Sequence, residues 1–126
     1  MSIPGLAGRR ILIVEDESLV AMLLETMLED MGCVLFGTAS RVPEAVEMLS
    51  GDDLPDAALL DVNVAGQTVY PVAELLKAKG IPMVFSTGYG QGGLAEGWET
   101  HPSLQKPYTE PMIQQALMQA LGVTTA

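Results

Sequence analysis

Cysteine, basic residues and long apolar runs are all scarce in this 126-residue chain, and each scarcity excludes a class of protein. The single cysteine, Cys33, rules out an internal disulfide, and we expect it to be a small buried apolar residue. No apolar run approaches the ~20 residues that a membrane-spanning helix needs, so we expect no membrane association. Only 6 Lys and Arg accompany 16 Asp and Glu, and the net charge of −10 argues against nucleic acid as a partner.

What the chain does contain is typical of a globular domain. Hydrophobic residues make up 48% of the chain, which is enough to form a core. The length suits one domain, so we expect a single domain over 1–126 with its core in 10–121. Residues 1–10 lack the apolar stretch of a signal peptide, and we therefore expect a cytoplasmic protein.

Strand-like and helix-like patterns alternate along the chain. Helical periodicity and terminal signals predict a helix after each of the first three strands and after the last. These units predict an α/β fold with a five-stranded parallel sheet and helices on both faces. The short apolar runs that predict the strands are 10–15, 33–38, 57–61, 81–86 and 102–105.

Two stretches interrupt the alternation. Residues 88–98 hold five glycines, and each interior glycine costs a helix about 1 kcal/mol relative to alanine, so the fourth helix should be short or irregular. We expect Trp98 to pack loosely or to contact a partner, and His101 to be exposed without a role. Residues 63–68 are predicted to form a loop, and the first helix should bury Leu23.

Residues capable of phosphoryl chemistry directly follow four of the predicted strands. The carboxyl ends of parallel strands meet at one edge of a sheet, where ligands bind. The sequence therefore predicts one site with three carboxylates, one hydroxyl and one ammonium. These groups belong to Glu15, Asp16, Asp61, Thr87 and Lys106.

Each of these residues also has an ordinary structural interpretation. One acid after the first strand could cap the following helix. Asp61 could begin a turn, and Thr87 could bond the local backbone. Lys106 is the only Lys or Arg after Gly80, so it does not belong to a cationic surface. Its bond to Pro107 could be cis, although trans is the commoner state.

The functional interpretation is a phosphoryl-acceptor site that contains a cation. A carboxylate such as Asp61 can attack phosphorus to form an acyl phosphate. Mg²⁺ binds carboxylate and phosphate oxygens, so it would offset the repulsion between Asp61 and the phosphoryl group. The backbone carbonyl of Asn63 could be a further ligand, and Lys106 could hold the phosphoryl oxygens.

Four segments at these strand ends carry a resemblance to a known family when they are taken together and in order. The segments are 13–17, 59–63, 85–89 and 105–108. Over 10–121 the chain resembles the CheY-like receiver domain of bacterial response regulators, which implies a flavodoxin-like fold with strand order 2-1-3-4-5. Residues 82–89 are also similar to the signature of the single-domain FAT GUY subfamily, with Ser86 in the place of alanine.

The resemblance implies a stand-alone response regulator of a two-component phosphorelay rather than an enzyme that acts on other substrates. Asp61 would accept a phosphoryl group from a histidine kinase, and Thr87 and Lys106 would contact that group. Signalling would follow from a conformational change, through contact with a phosphotransfer protein or a downstream protein target. The implied Mg²⁺ ligands are Glu15 acting through water, Asp16, Asp61 and the Asn63 carbonyl.

The resemblance has one departure and several alternatives. Most receivers carry an aromatic residue where this chain has Ser103, so we expect the switch to be an ordering of 88–98 with Tyr89 as the moving aromatic. A phosphate sink or a degenerate receiver that acts by protein contact alone is the alternative function. A phosphohydrolase with an aspartate nucleophile would need an acid at Asn63, and a flavodoxin-like cofactor module would need a phosphate loop at 15–17.

Overall fold

Five parallel strands form the central sheet of the computed structural model, which describes residues 3–88 and 94–123. The strands are β1 (Arg10–Val14), β2 (Val34–Ala39), β3 (Ala57–Asp61), β4 (Asn63–Val64), β5 (Gln67–Thr68), β6 (Met83–Thr87) and β7 (Ser103–Gln105). In the central sheet, the order β2-β1-β3-β6-β7 confirms the predicted order 2-1-3-4-5. The helices are α1 (Ser18–Asp30), α2 (Val42–Met48), α3 (Tyr70–Ala78) and α4 (Glu110–Leu121). None of these helices is long and apolar enough to cross a bilayer.

Apolar side chains alternate between the two faces of β1, as the period of a strand requires. Leu12 and Val14 pack in one core with residues of α2 and α3. Ile11 and Ile13 pack in a second core with residues of α1 and α4, and Cys33 is buried there as predicted. The predicted placement of helices on both faces of the sheet is therefore confirmed.

Helix α1 exposes an unusual amount of apolar surface. Leu19, Met22 and Leu23 are 80%, 60% and 50% exposed, so the predicted burial of Leu23 is wrong. With 3.6 residues per turn, these three positions share the side of the helix opposite the buried one. We call them the α1 apolar face. The buried residues of α1 are Ala21, Leu24 and Leu28.

A short antiparallel hairpin occupies 63–68, where the sequence predicts a loop. Strands β4 and β5 pair in it, and Ala65 and Gly66 connect them with φ angles of 50° and 82°. Two-residue hairpin loops favour positive φ at both positions because this backbone matches the twist of the strands. Alanine rarely adopts a positive φ, so the residues Ala65 and Gly66 did not predict a hairpin turn.

An aromatic cluster formed by Tyr70, Phe85, Trp98 and His101 packs beside α3 and β6. Its ring centroids lie 5.1 to 5.9 Å apart. Trp98 is 6% exposed and His101 is half-buried, so the predictions of a loosely packed Trp98 and an exposed His101 are wrong. Residues 94–98 contain turns and no helix, which agrees with the predicted short or irregular fourth helix for that part of 88–98. Residues 89–93, with Tyr89, lie outside the described residues.

Candidate functional site

The register of the sheet places the predicted site residues at one edge. Val14 of β1 pairs with Leu60 of β3. Glu15 and Asp61 are the next residue after each of these, so they lie side by side. Asp61 pairs with Ser86, which puts Thr87 one residue further along β6. The Lys106 backbone N–H donates to the Thr87 carbonyl at 2.9 Å, and this ties the end of β7 to the end of β6.

The Lys106 ammonium joins two of the acids. Its Nζ lies 2.9 Å from Glu15 Oε1 and 3.0 Å from Asp61 Oδ2. One carboxylate oxygen from each of Glu15, Asp16 and Asp61 lies within 4.8 Å of the others. The structure therefore brings together the three acids and the lysine that the sequence placed at strand ends. The Lys106–Pro107 peptide bond beside them is cis.

Backbone N–H groups orient each of the three carboxylates. The N–H of Glu17 donates to Glu15 Oε2 at 3.1 Å. The N–H of Ala65, in the hairpin turn, donates to Asp16 Oδ2 at 3.1 Å. The N–H of Asn63 donates to Asp61 Oδ1 at 3.3 Å. The unpredicted hairpin thus positions Asp16. The predicted helix cap by an acid is not observed at Glu17, whose side chain makes no capping hydrogen bond for α1.

Burial and charge act in opposite directions in this site. Glu15 is 2% exposed and Asp61 is 6% exposed. Burial raises the pKa of Glu15 to about 7, although the Lys106 ammonium and the hydrogen bond from the Glu17 N–H oppose the rise. Burial also lowers the pKa of Lys106, but the carboxylates of Glu15 and Asp61 together outweigh it and leave this pKa raised. One ammonium faces three carboxylates, so negative charge is in excess.

This excess and the donor set fit a divalent cation. The clustered side-chain donors of Glu15, Asp16 and Asp61 are carboxylate oxygens, which hard cations such as Mg²⁺ prefer. Glu15 Oε1 is buried, and its contact with Lys106 is not aligned as a hydrogen bond, so it accepts none from the described residues. The acidic cluster formed by Glu15, Asp16 and Asp61 could therefore hold a metal.

A cleft of about 570 Å³ opens over the acids. Val20 and Leu23 of α1 line one part of it, which brings the α1 apolar face to its border. Thr87 lies at the end of β6 and is half-buried, and its neighbour Gly88 lines the cleft. The other lining residues are Asp16, Glu17, Asp61, Asn63, Lys106, Pro107 and Tyr108.

Comparison with known proteins identifies the family. The sequence model described as the response regulator receiver domain matches residues 11–118. The chain belongs to this family. It is therefore a signalling domain of two-component systems, with the fold expected from the resemblance.

Several relatives of this receiver domain are named proteins. The phyllosphere-induced regulator PhyR of Methylorubrum extorquens is 34% identical over 115 residues, covering 88% of this chain and 43% of that protein. SdrG from Sphingomonas melonis Fr1 is 43% identical with a TM-score of 0.82, covering 92% of this chain and 98% of that structure. The anti-anti-sigma factor PhyR from Bartonella quintana is 29% identical with a TM-score of 0.81, covering 94% and 49%. The chain spans less than half the length of PhyR and of the other curated relatives that it matches.

Tyr108 lines the receiver cleft and ends the segment 105–108, but it was not among the predicted site residues. It is 8% exposed, and its hydroxyl has no hydrogen-bond partner within 3–88 and 94–123. Burial, followed by the charge of Glu15, raises the pKa of Tyr108 to about 12, so the hydroxyl keeps its proton. Its position directly after Lys106 and Pro107 could have predicted that it lies at the site.

Proposed function

We propose that this receiver domain accepts a phosphoryl group on Asp61 in a Mg²⁺-dependent reaction and signals through the conformational change that follows. The observation that carries the proposal is the Lys106 ammonium, which contacts both Glu15 and Asp61 at the border of an open cleft. A buried carboxylate beside a lysine and two further acids suits an acceptor that needs charge neutralisation during transfer.

The proposed transfer uses one oxygen of Asp61 as the nucleophile. A new bond forms between that oxygen and phosphorus, while the bond from phosphorus to the donor nitrogen or oxygen breaks and its electron pair leaves with the donor. Lys106 and Thr87 then contact the transferred oxygens. Mg²⁺ would supply positive charge at the phosphoryl oxygens, and the proposed ligands are Glu15 through water, Asp16, Asp61 and the Asn63 carbonyl.

The product would change the balance of charges at the cleft. An aspartyl phosphate brings roughly −1.5 to −2 charges to a site that is already negative. Lys106 would turn from Glu15 toward the phosphoryl group, because that group carries the larger charge. Since the Lys106 N–H is bonded to the Thr87 carbonyl, this movement would reach the segment after β6. We propose that 88–98 is the part that responds, with Tyr89 as the moving aromatic.

The proposed phosphodonor is a histidine kinase or a phosphotransfer protein, and the α1 apolar face is its docking surface. Leu23 belongs to this face and also lines the cleft, so a protein seated on α1 would reach Asp61. Exposed apolar surface beside a reactive group favours a protein partner. The relative from Bartonella quintana is described as an anti-anti-sigma factor, which supports a protein as the downstream target here too.

The docking proposal has a direct test. Replacing Leu19 and Met22, which do not line the cleft, together by Ser should slow transfer from a phosphorylated histidine protein at least about tenfold, since central apolar contacts dominate interfaces. Labelling by a small phosphodonor should be unchanged, because it needs no docking. Equal slowing with both donors would contradict a role in docking.

The phosphoacceptor proposal is tested by intact mass. The protein and Asp61→Asn are incubated with acetyl phosphate and Mg²⁺, and with acetyl phosphate and a chelator. A gain of one phosphoryl group is expected only in the unaltered protein with Mg²⁺. No gain in that sample would favour the alternative, a receiver that acts by protein contact only. A gain in Asp61→Asn would show that another residue accepts the phosphoryl group.

A further inference from the structure

A second, much smaller cavity borders the acid site, which we define as Glu15, Asp16, Asp61 and Lys106. It offers about 10 Å³, close to the room that one water molecule needs. Its polar walls are Glu15, Asp61, Ser86 and Tyr108. The remaining walls are apolar side chains of β1, α1, β3, β6 and β7.

Two buried polar atoms that border this cavity lack hydrogen-bond partners in the described part of the chain. They are Tyr108 Oη, a donor, and Glu15 Oε1, an acceptor. Both residues are more than nine-tenths buried. Buried polar groups without a partner are rare in folded proteins, and a bridging water commonly satisfies them.

We propose that Tyr108 is a positioning residue of the acid site, which holds Glu15 through one water in the small cavity. The tyrosine hydroxyl donates to the water, and the water donates to Glu15 Oε1. The inference rests on the proposed function, because the orientation that it fixes is the one in which Glu15 serves the cation. Groups that orient metal ligands in this way commonly change metal affinity by 10- to 100-fold when they are removed.

The position of Lys106 explains why such a support is needed. Glu15 Oε2 is already held by the Glu17 N–H, whereas Oε1 has only the contact with Lys106. When Lys106 turns to a phosphoryl group, Oε1 loses that contact. The water and the hydroxyl of Tyr108 keep Oε1 in place, so the carboxylate does not rotate while the cation is bound.

Removal of the hydroxyl alone tests the inference. Mg²⁺ affinity is measured by isothermal titration calorimetry, without phosphodonor, for the unaltered protein and Tyr108→Phe. The variant should bind Mg²⁺ about tenfold more weakly, at the lower end of the range for such groups. Its thermal midpoint without metal should not fall, because the ring is retained. The matched control is Tyr70→Phe, whose hydroxyl contacts the Ala95 N–H and not the acids, and its affinity should stay within twofold.

A double-mutant cycle with Glu15→Gln separates a positioning role from a general one. If Tyr108 acts through Glu15, Tyr108→Phe should have no further effect on Mg²⁺ affinity in the Glu15→Gln background. The same tenfold loss in that background would overturn the inference. Equal affinity of Tyr108→Phe and the unaltered protein would overturn it as well and leave the phosphoacceptor proposal standing. No Mg²⁺ binding by the unaltered protein would overturn both.

Discussion

The acid site and the aromatic cluster are built on opposite principles. In the aromatic cluster, the rings of Tyr70, Phe85, Trp98 and His101 pack against one another, and the Tyr70 hydroxyl accepts a hydrogen bond from Ala95 at 2.9 Å. In the acid site, carboxylates crowd within 4.8 Å, and two buried polar atoms make no hydrogen bond with the described residues. The aromatic packing stabilises the folded state, whereas the repulsion between the carboxylates destabilises it.

The difference indicates where stability and chemistry reside in this receiver domain. Packing of apolar rings needs no ligand to be complete. Crowded carboxylates are relieved by a cation, so the energy that destabilises the free protein becomes binding energy for the metal. Substitutions in the two regions should therefore have opposite effects on the free energy of unfolding.

The largest expected effect on stability comes from the aromatic cluster. Trp98→Ala should lower the free energy of unfolding by about 3–5 kcal/mol, because it removes a buried ring and leaves a cavity. Urea denaturation followed by circular dichroism measures this change. Trp98→Phe, which keeps part of the ring contact, should lose less. A decrease in the free energy of unfolding below about 1 kcal/mol for Trp98→Ala would show that the cluster contributes little to stability.

This cluster also marks the limit of the sequence prediction. Strand β3 is predicted and observed at 57–61, because a continuous apolar run between a polar turn and an acid has few other interpretations. Trp98 follows a glycine-rich stretch, and its local sequence indicates loose packing. Its burial depends on Tyr70 and Phe85, which are distant in sequence, so only tertiary structure reveals it.

The acid site also has features that the sequence predicts and features that it does not. The convergence of Glu15, Asp61 and Lys106 was predictable, since it follows from parallel strands that end at one edge. The hairpin that holds Asp16 was not, because the turn uses an alanine at positive φ. The unpartnered hydroxyl of Tyr108 was not predictable either, since the lack of a partner is a property of the packed interior.

An intermediate effect on stability is expected from pH, acting through Glu15. Its pKa is raised from 4.5 in the unfolded chain to about 7 in the folded one. The folded state therefore binds the proton more tightly, so this contribution to stability is full below pH 4.5 and is lost as the pH rises through about 7. Without metal, the free energy of unfolding should fall by at most about 1.4 kcal/mol per pH unit across this range.

The measurement is a set of urea titrations between pH 4.5 and 8 in a chelator, for the unaltered protein and Glu15→Gln. The variant has no proton to lose at this position, so its profile should be flatter over the same range. Identical profiles for the two proteins would contradict the raised pKa of Glu15.

The smallest expected effect belongs to Asp16, at the exposed border of the acid site. Asp16→Asn removes one of the crowded charges and keeps an oxygen to accept the Ala65 N–H bond. Without metal, the free energy of unfolding should rise, by up to about 1 kcal/mol for an exposed charge. With Mg²⁺ in excess, the unaltered protein should become the more stable of the two. Greater stability of the unaltered protein in the chelator would contradict the claim that the acids repel one another.

The measurement that bears most directly on the account locates the phosphoryl group. The protein is labelled with acetyl phosphate and Mg²⁺, treated with borohydride, which reduces an acyl phosphate of aspartate to homoserine, and mapped by peptide mass spectrometry. The account predicts conversion at residue 61 alone, and none when Mg²⁺ is chelated. Conversion at residue 16, or a phosphorylated protein in which Asp61 stays intact, would contradict it.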